Sequence, residues 1–295
     1  MKVETPEPGI YEDVPFSDYL QWDAFSASRL SLLAKSPRHC QRGFSKEPSP
    51  AMQLGSLYHC GVLEPLLFAD RYAIAPDYHL DAENCTQSGA PSKSTTTKYV
   101  KDRMEEFRAI TDGREVVPRD WYLQTLSLVK ELTANEDSRR ILNGDGPREL
   151  SILWQENGLF CKARIDKVCY EERILADLKS CANIEAFPNS IGRFGYHRQM
   201  AHYQAGWKML TGDTLTPWLI AVESSDPYTV QAAPLHEESL ALGHANRAAL
   251  LDTLWDCLEA KHWPPMPNPT HWHVPAWAAV EEPVKLIIDG ESIEV

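Results

Sequence analysis

Two apolar runs joined by Glu156-Asn157-Gly158 constrain this chain more than any other feature. Asn-Gly is the strongest short hairpin signal, because a tight primed turn needs positive φ at both central positions and these residues tolerate it. Leu150–Gln155 and Leu159–Val168 are therefore expected to be adjacent antiparallel strands. Arg173-Ile-Leu-Ala-Asp-Leu-Lys179 reads as a third strand. Downstream, Tyr196, Met200, Tyr203, Trp207 and Leu210 recur at alternating steps of four and three, which predicts a helix over 194–210. Pro217–Glu223 and Tyr228–Ala233 read as further strands, and Leu240–Lys261 as a second long helix. Strands interleaved with helices point to an α/β protein with a central mixed sheet flanked by helices.

The first half reads differently. Residues 26–35, 51–70, 99–111 and 119–135 are expected to be helical, with Ser26 or Ser28 capping the first, Ser36-Pro37 ending it and Pro65 ending the second. Residues 1–24 carry Pro6, Pro8 and Pro15 and are expected to be irregular. Residues 79–98, rich in Ser, Thr, Gly and Asn, read as a flexible loop. The Pro- and Trp-rich tail from about 263 reads as irregular, and His271-Trp-His273 within it is not taken as a metal pair. No repeat and no clear linker appear, so residues 1–295 are read as one domain. A chain of that length buries enough surface to need no disulfide or structural metal.

Strand alternation brings chemistry together. Lys162, Arg164 and Asp166 share one face of the second strand, and Leu175, Asp177 and Lys179 share one face of the third. If the strands pair, two carboxylates, a lysine and an arginine converge. Carboxylate oxygens suit Mg²⁺ or Mn²⁺, and a lysine beside them suits phosphate chemistry. An exposed sheet face with a Lys–Asp ion pair would show the same Asp-x-Lys pattern. On the following helix Gln199 and Tyr203 are at i and i+4 and project together, among Arg193, His197, Arg198, His202 and Lys208. The whole chain has a net charge of −13, which excludes a uniformly basic nucleic-acid coat. Bases nevertheless outnumber acids over 26–48 and 161–210, a pattern consistent with a local DNA-binding face.

Asp166, Asp177-Leu178-Lys179 and Gln199-x-x-x-Tyr203 together resemble the PD-(D/E)XK nuclease superfamily, in its Gln-x-x-x-Tyr branch. Gly9-Ile-Tyr11, Phe25-Ser-Ala-Ser28-x-Leu30, Ser36-Pro37 and Gly55-Ser-Leu-Tyr-His59 through Pro65 resemble the C-terminal nuclease of RecE-type exonuclease VIII, so the resemblance runs from about residue 8 to Trp277. It implies a PD-(D/E)XK core and an ATP-independent, Mg²⁺-dependent exonuclease, with Mn²⁺ as a substitute. The substrate would be linear double-stranded DNA, digested 5′-to-3′ to leave a 3′ strand. It further implies a ring-like homo-oligomer, often a tetramer, and a single-strand annealing partner in phage-type recombination.

The same resemblance makes Asp166, Asp177, His59 and the Leu178 carbonyl metal ligands, and Lys179 the catalytic lysine. Gln199 and Tyr203 would support the site or position DNA. Arg164, Arg198 and Ser28 are read beside them as DNA-binding or supporting residues. By itself, one histidine in an apolar helix is ordinarily a core residue. The nominal Pro of the superfamily motif is absent, since Ile165 precedes Asp166 and Ala176 precedes Asp177.

The seven cysteines include no Cys-x-x-Cys pair. They read as reduced thiols of a cytoplasmic protein and argue against an iron–sulfur member of the group. No stretch has the length and apolarity of a signal peptide or membrane span. An endonuclease or single-strand nuclease with the same site, and a catalytically idle DNA-binding module, remain competing readings.

Overall fold

The computed structural model describes residues 4–43 and 49–270, together with the backbone at 285–288 and 291–294. The N-terminal half contains β1 (Gly9–Tyr11), α1 (Phe16–Gln21), α2 (Ala27–Leu33), α3 (Pro37–Arg42), α4 (Pro50–Leu63), α5 (Phe68–Arg71) and β2 (Tyr72–Ile74). It continues with α6 (Lys98–Ala109), β3 (Glu115–Val117), α7 (Arg119–Ala134) and α8 (Glu136–Asn143). The C-terminal half runs β4 (Arg148–Glu156), β5 (Leu159–Cys169), β6 (Ile174–Cys181), α9 (Phe187–Phe194), α10 (Tyr196–Thr211), β7 (Thr216–Glu223), β8 (Val230–Pro234) and α11 (Glu237–Glu259). Two short strands, β9 (Lys285–Ile288) and β10 (Glu291–Glu294), follow.

Six strands form the central sheet in the order β1-β4-β5-β6-β7-β8. Within this sheet β6 and β7 are the parallel pair, and the helical crossover between them is α9 with α10; β2 and β3 form a separate short parallel pair. Asn157 (φ 50°) and Gly158 (φ 81°) make the turn of the β4–β5 hairpin, as their tolerance of positive φ requires. One core lies between the sheet and α2, α10 and α11, built on Leu30, Trp154, Ile165, Met200, Trp207 and Leu254. A second lies on the opposite face, where Tyr58 of α4 and Leu128 and Leu132 of α7 cover Ala176, Leu178 and Ile220. Helices thus cover both faces, and β5 and β6 are buried on both sides. Gly206 lets α10 approach the sheet: a Cβ there would stand 2.6 Å from the Trp154 ring.

Several expectations are corrected. The N-terminal segment is not irregular, since β1 pairs with β4 and α1 packs Tyr19 and Trp22 on Leu153. The stop expected at Pro65 holds, by contrast: α4 ends at Leu63 and Pro65 opens a 3-10 turn. Ser36 does not end a helix only; it caps α3, with Pro37 in the first turn. Helices α8 and α9 had no sequence expectation. The tail is not wholly irregular: 263–270 has no regular element, but β9 and β10 pair antiparallel. His271 and His273 lie outside the described residues. The 79–98 segment holds only a 3-10 turn and a bridge between Cys85 and Pro91, gathered around Asn84, whose amide donates to the carbonyls of His79, Ser92 and Ser94.

Candidate active site

The last paired residues of β5 and β6 on this side are Lys167 and Ala176. Asp166 and Asp177 come one position later, where the ladder opens. Asp166 Oδ2 accepts a hydrogen bond from the Leu178 amide at 2.7 Å in place of a ladder bond. Both carboxylates are buried, Asp177 to 1% exposure.

His59 reaches this opening from α4. Its Nε2 lies 3.0 Å from the Leu178 carbonyl oxygen. A carbonyl only accepts, so Nε2 carries the proton and Nδ1 is aimed at the carboxylates. Nδ1 stands 3.6 Å from Asp166 Oδ2 and 3.9 Å from Glu149 Oε1. One ligand atom each from His59, Glu149 and Asp166 falls within 4.8 Å of the others.

Glu149 had no sequence expectation. It adopts φ 51°, unusual for a residue with a Cβ, and such strain costs about 1 kcal/mol or more. The turn could have revealed it: counting back along the hairpin from Asn157-Gly158 sets position 149 opposite 166, flanked by the observed pairs Arg148–Lys167 and Leu150–Ile165.

Asp177 has different partners. It forms an ion pair with Lys179 and accepts from Gln199 Nε2 at 2.9 Å through Oδ1. Gln199 also donates to Tyr203 Oη at 2.7 Å, so the i, i+4 pair acts as one bracket on Asp177. Asp177 Oδ2 is buried and makes no hydrogen bond beyond its contact with the Lys179 ammonium. Lys179 Nζ lies 4.8 Å from the Tyr196 ring centre.

The remaining candidates are placed apart. Arg164 pairs with Glu149 and donates to the Val14 carbonyl and Ser151 Oγ, so it supports the site from within rather than facing solvent. Lys162 leaves the cluster altogether: its Nζ donates to the carbonyls of Tyr19, Leu20 and Trp22, closing the end of α1. Arg198 donates to Ser31 Oγ of α2, and Ser28 is exposed on that helix. Glu64 is engaged by Arg71.

Electrostatics follow the crowding. Burial and the neighbouring Asp177 charge push the Asp166 carboxyl well above the usual range. Burial disfavours a charged His59, but Asp166 and Glu149 outweigh it and lift the imidazole to about 9. Burial likewise opposes charge on Lys179, yet Asp177 and Asp166 raise it. Burial pulls Glu149 upward, and His59 and Arg164 together hold it below the usual range. The pocket thus crowds three carboxylates, Glu149, Asp166 and Asp177, against three basic groups, His59, Lys179 and Arg164. The His59 imidazole, once its Nδ1 proton is displaced, the Glu149 and Asp166 carboxylates and the Leu178 carbonyl are a donor set that fits a hard divalent cation.

A mixed sheet covered on both faces, with Asp, Asp-x-Lys and Gln-x-x-x-Tyr meeting at one opening, defines a PD-(D/E)XK-type domain. The chain belongs to the family described as "PDDEXK-like domain of unknown function (DUF3799)", whose sequence model matches residues 17–268. Its fold is similar to that of a crystal structure from Eubacterium rectale described as a candidate exonuclease. That likeness has a TM-score of 0.57 and 14% identity, covering 86% of this chain and 90% of the other. A phage related exonuclease from Haemophilus somnus 129PT has 13% identity over 60% of this chain and 90% of its own, at a TM-score of 0.30, too low to bear on the fold. No curated protein matches the chain. Among the described residues, no helix is long and apolar enough to cross a membrane.

Proposed function

We propose that this chain is a Mg²⁺-dependent, ATP-independent exodeoxyribonuclease acting on the ends of linear double-stranded DNA, 5′-to-3′, in phage-type recombination. The observation that carries the reading is the meeting of Asp166, Asp177, Lys179 and His59 at one opening between β5 and β6. The E. rectale protein's description as a candidate exonuclease agrees with it.

In this reading His59, Asp166, Asp177 and the Leu178 carbonyl hold Mg²⁺, with Glu149 as a further donor. When bound, the ion neutralises phosphate charge and makes water a competent nucleophile at neutral pH. The chain's own residues do the rest. Asp177, fixed by Gln199 and Tyr203, holds Lys179 at one position. From there the ammonium steadies the attacking water or the charge that develops on the phosphate. Arg164 fixes the Glu149 carboxylate, and the Leu178 amide fixes that of Asp166, so the donors are organised before substrate arrives.

The seven free cysteines support a reducing compartment, the cytoplasm of a bacterium or infected host. A ring-shaped homo-oligomer and a single-strand annealing partner belong to the same proposal. The test incubates linear duplex and the same DNA as a closed circle with Mg²⁺ or EDTA, with Lys179→Ala in parallel. Mg²⁺-dependent loss of the linear form alone, absent in the variant, is the expected result. Cutting of the circle would replace the exonuclease reading with an endonuclease, and an active Lys179→Ala would overturn the site.

A further inference from the structure

One exposed aromatic stands in a chain of contacts that begins at the reactive lysine. Lys179 Nζ lies 4.8 Å from the centre of the Tyr196 ring. Tyr196 is flanked by Phe187, nearly parallel at 6.0 Å and 30°, and by Phe194 at 5.8 Å and 34°. Phe187 is 7% exposed and anchors the stack in the core, whereas Phe194 is 54% exposed at its outer end. The exposed Arg193 holds its guanidinium 5.5 Å from the Phe194 ring centre. Gly195, at φ 73°, joins α9 to α10 and sets Phe194 and Tyr196 on either side of the joint.

The Phe194 ring keeps about half of its surface in solvent while meeting Tyr196 and Arg193. Beside a site for phosphodiesters, it offers a π-face to a base and a neighbouring cation to its phosphate. We infer that Phe194, backed by Tyr196 and Arg193, stacks the base of the nucleotide next to the scissile phosphate and so positions the strand end over Lys179. This rests on the proposed nuclease reading but assigns a separate element, a base-stacking platform at the α9–α10 joint.

The experiment uses a linear duplex whose recessed terminal nucleotide is either 2-aminopurine or abasic. Phe194→Leu keeps the apolar bulk and loses the π-face, while Phe194→Trp keeps it. With Mg²⁺, Phe194→Leu is expected to raise KM about tenfold on the base-bearing end with little change in kcat, as for one lost stack. The abasic end should show no difference, and Phe194→Trp should behave like the parent. An equal loss on both ends would mean a structural role and would overturn the inference, as would no loss on either. Binding is read separately with Ca²⁺ in place of Mg²⁺, through 2-aminopurine fluorescence. Quenching by the parent but not by Phe194→Leu supports stacking even if no DNA is digested, in which case only the nuclease reading fails. Equal quenching by both would remove Phe194 from the site.

Discussion

The β4–β5 hairpin carries a buried polar cluster at each end, and the two are built on opposite principles. At the turn end, Arg247 pairs bidentately with Glu156 and donates to His202 Nδ1 at 3.1 Å. His202 Nε2 in turn donates to the Lys162 carbonyl, and Trp154 Nε1 donates to Glu156. One cation meets one anion, and the histidine beside them stays neutral. At the open end, Glu149, Asp166 and Asp177 crowd together among His59, Lys179 and Arg164, and Asp166 is driven toward protonation. A satisfied cluster holds α11 to the sheet. A crowded one holds carboxylates against one another, and a cation between them would relieve that crowding, which in the proposed reading is what makes it a site.

The largest effect that separates the ends is on chemistry. Lys179→Ala is expected to lower the rate on linear duplex about a thousandfold, the order seen when one charge-stabilising donor is lost, and to cost stability too, because the buried Asp177 carboxylate loses its ion pair. Glu156→Gln should cost stability alone. It leaves Arg247 buried with half its partner gone and costs about 2–3 kcal/mol in a denaturant titration. That is less than a fully buried pair loses, because Glu156 keeps 20% of its side-chain surface exposed. DNA digestion by the folded variant should match the parent. If both variants fall in stability alone, the clusters do not differ in kind.

How much of this the sequence carried depended on range. The hairpin, the pairing of Asp166 with Asp177-x-Lys179 and the side shared by Gln199 and Tyr203 follow from periods of two and 3.6 and from one turn. Glu149 was equally local and was missed, because it precedes the apolar run and the register was not counted back to it. Lys162 was read onto the reactive face, yet its partners Tyr19 and Trp22 lie about 140 residues away in sequence, beyond any periodicity. His59 meets Leu178 across 119 residues and was identified only through resemblance. Alternation sets Arg164 on the face of Asp166, but its partners Glu149 and Val14 are not given by alternation, which yields a face and not what covers it.

Cation binding sharpens the comparison by a smaller amount. Mg²⁺ at ten times its Kd should stabilise the parent by about 1.4 kcal/mol, and EDTA should reverse the gain. Asp166→Asn should show no such gain. Without metal it should melt above the parent at pH 7.5, because a carboxyl whose folded pKa is raised destabilises the fold once ionised, and Asn can still accept from the Leu178 amide. A metal-dependent rise that survives in the variant would remove Asp166 from the donor set.

The smallest effect compares the two histidines by pH. His202 is wholly buried, and desolvation followed by the Arg247 charge lowers it to about 3. The folded state keeps it neutral, while the unfolded chain takes up a proton below about 6.5. Its contribution is therefore present above pH 6.5 and lost as pH falls, by about 1.4 kcal/mol between pH 7.5 and 5.5. His59 has the opposite sign: raised to about 9, it stabilises fully below pH 6.5 and loses that contribution as pH rises through 9. Urea titrations of His202→Gln at the two pH values, taken as differences from the parent, should show the variant gaining relative stability in acid. His59→Gln should lose it. Shifts of the same sign in both would mean that the turn-end cluster is not the neutral, closed one its hydrogen bonds describe.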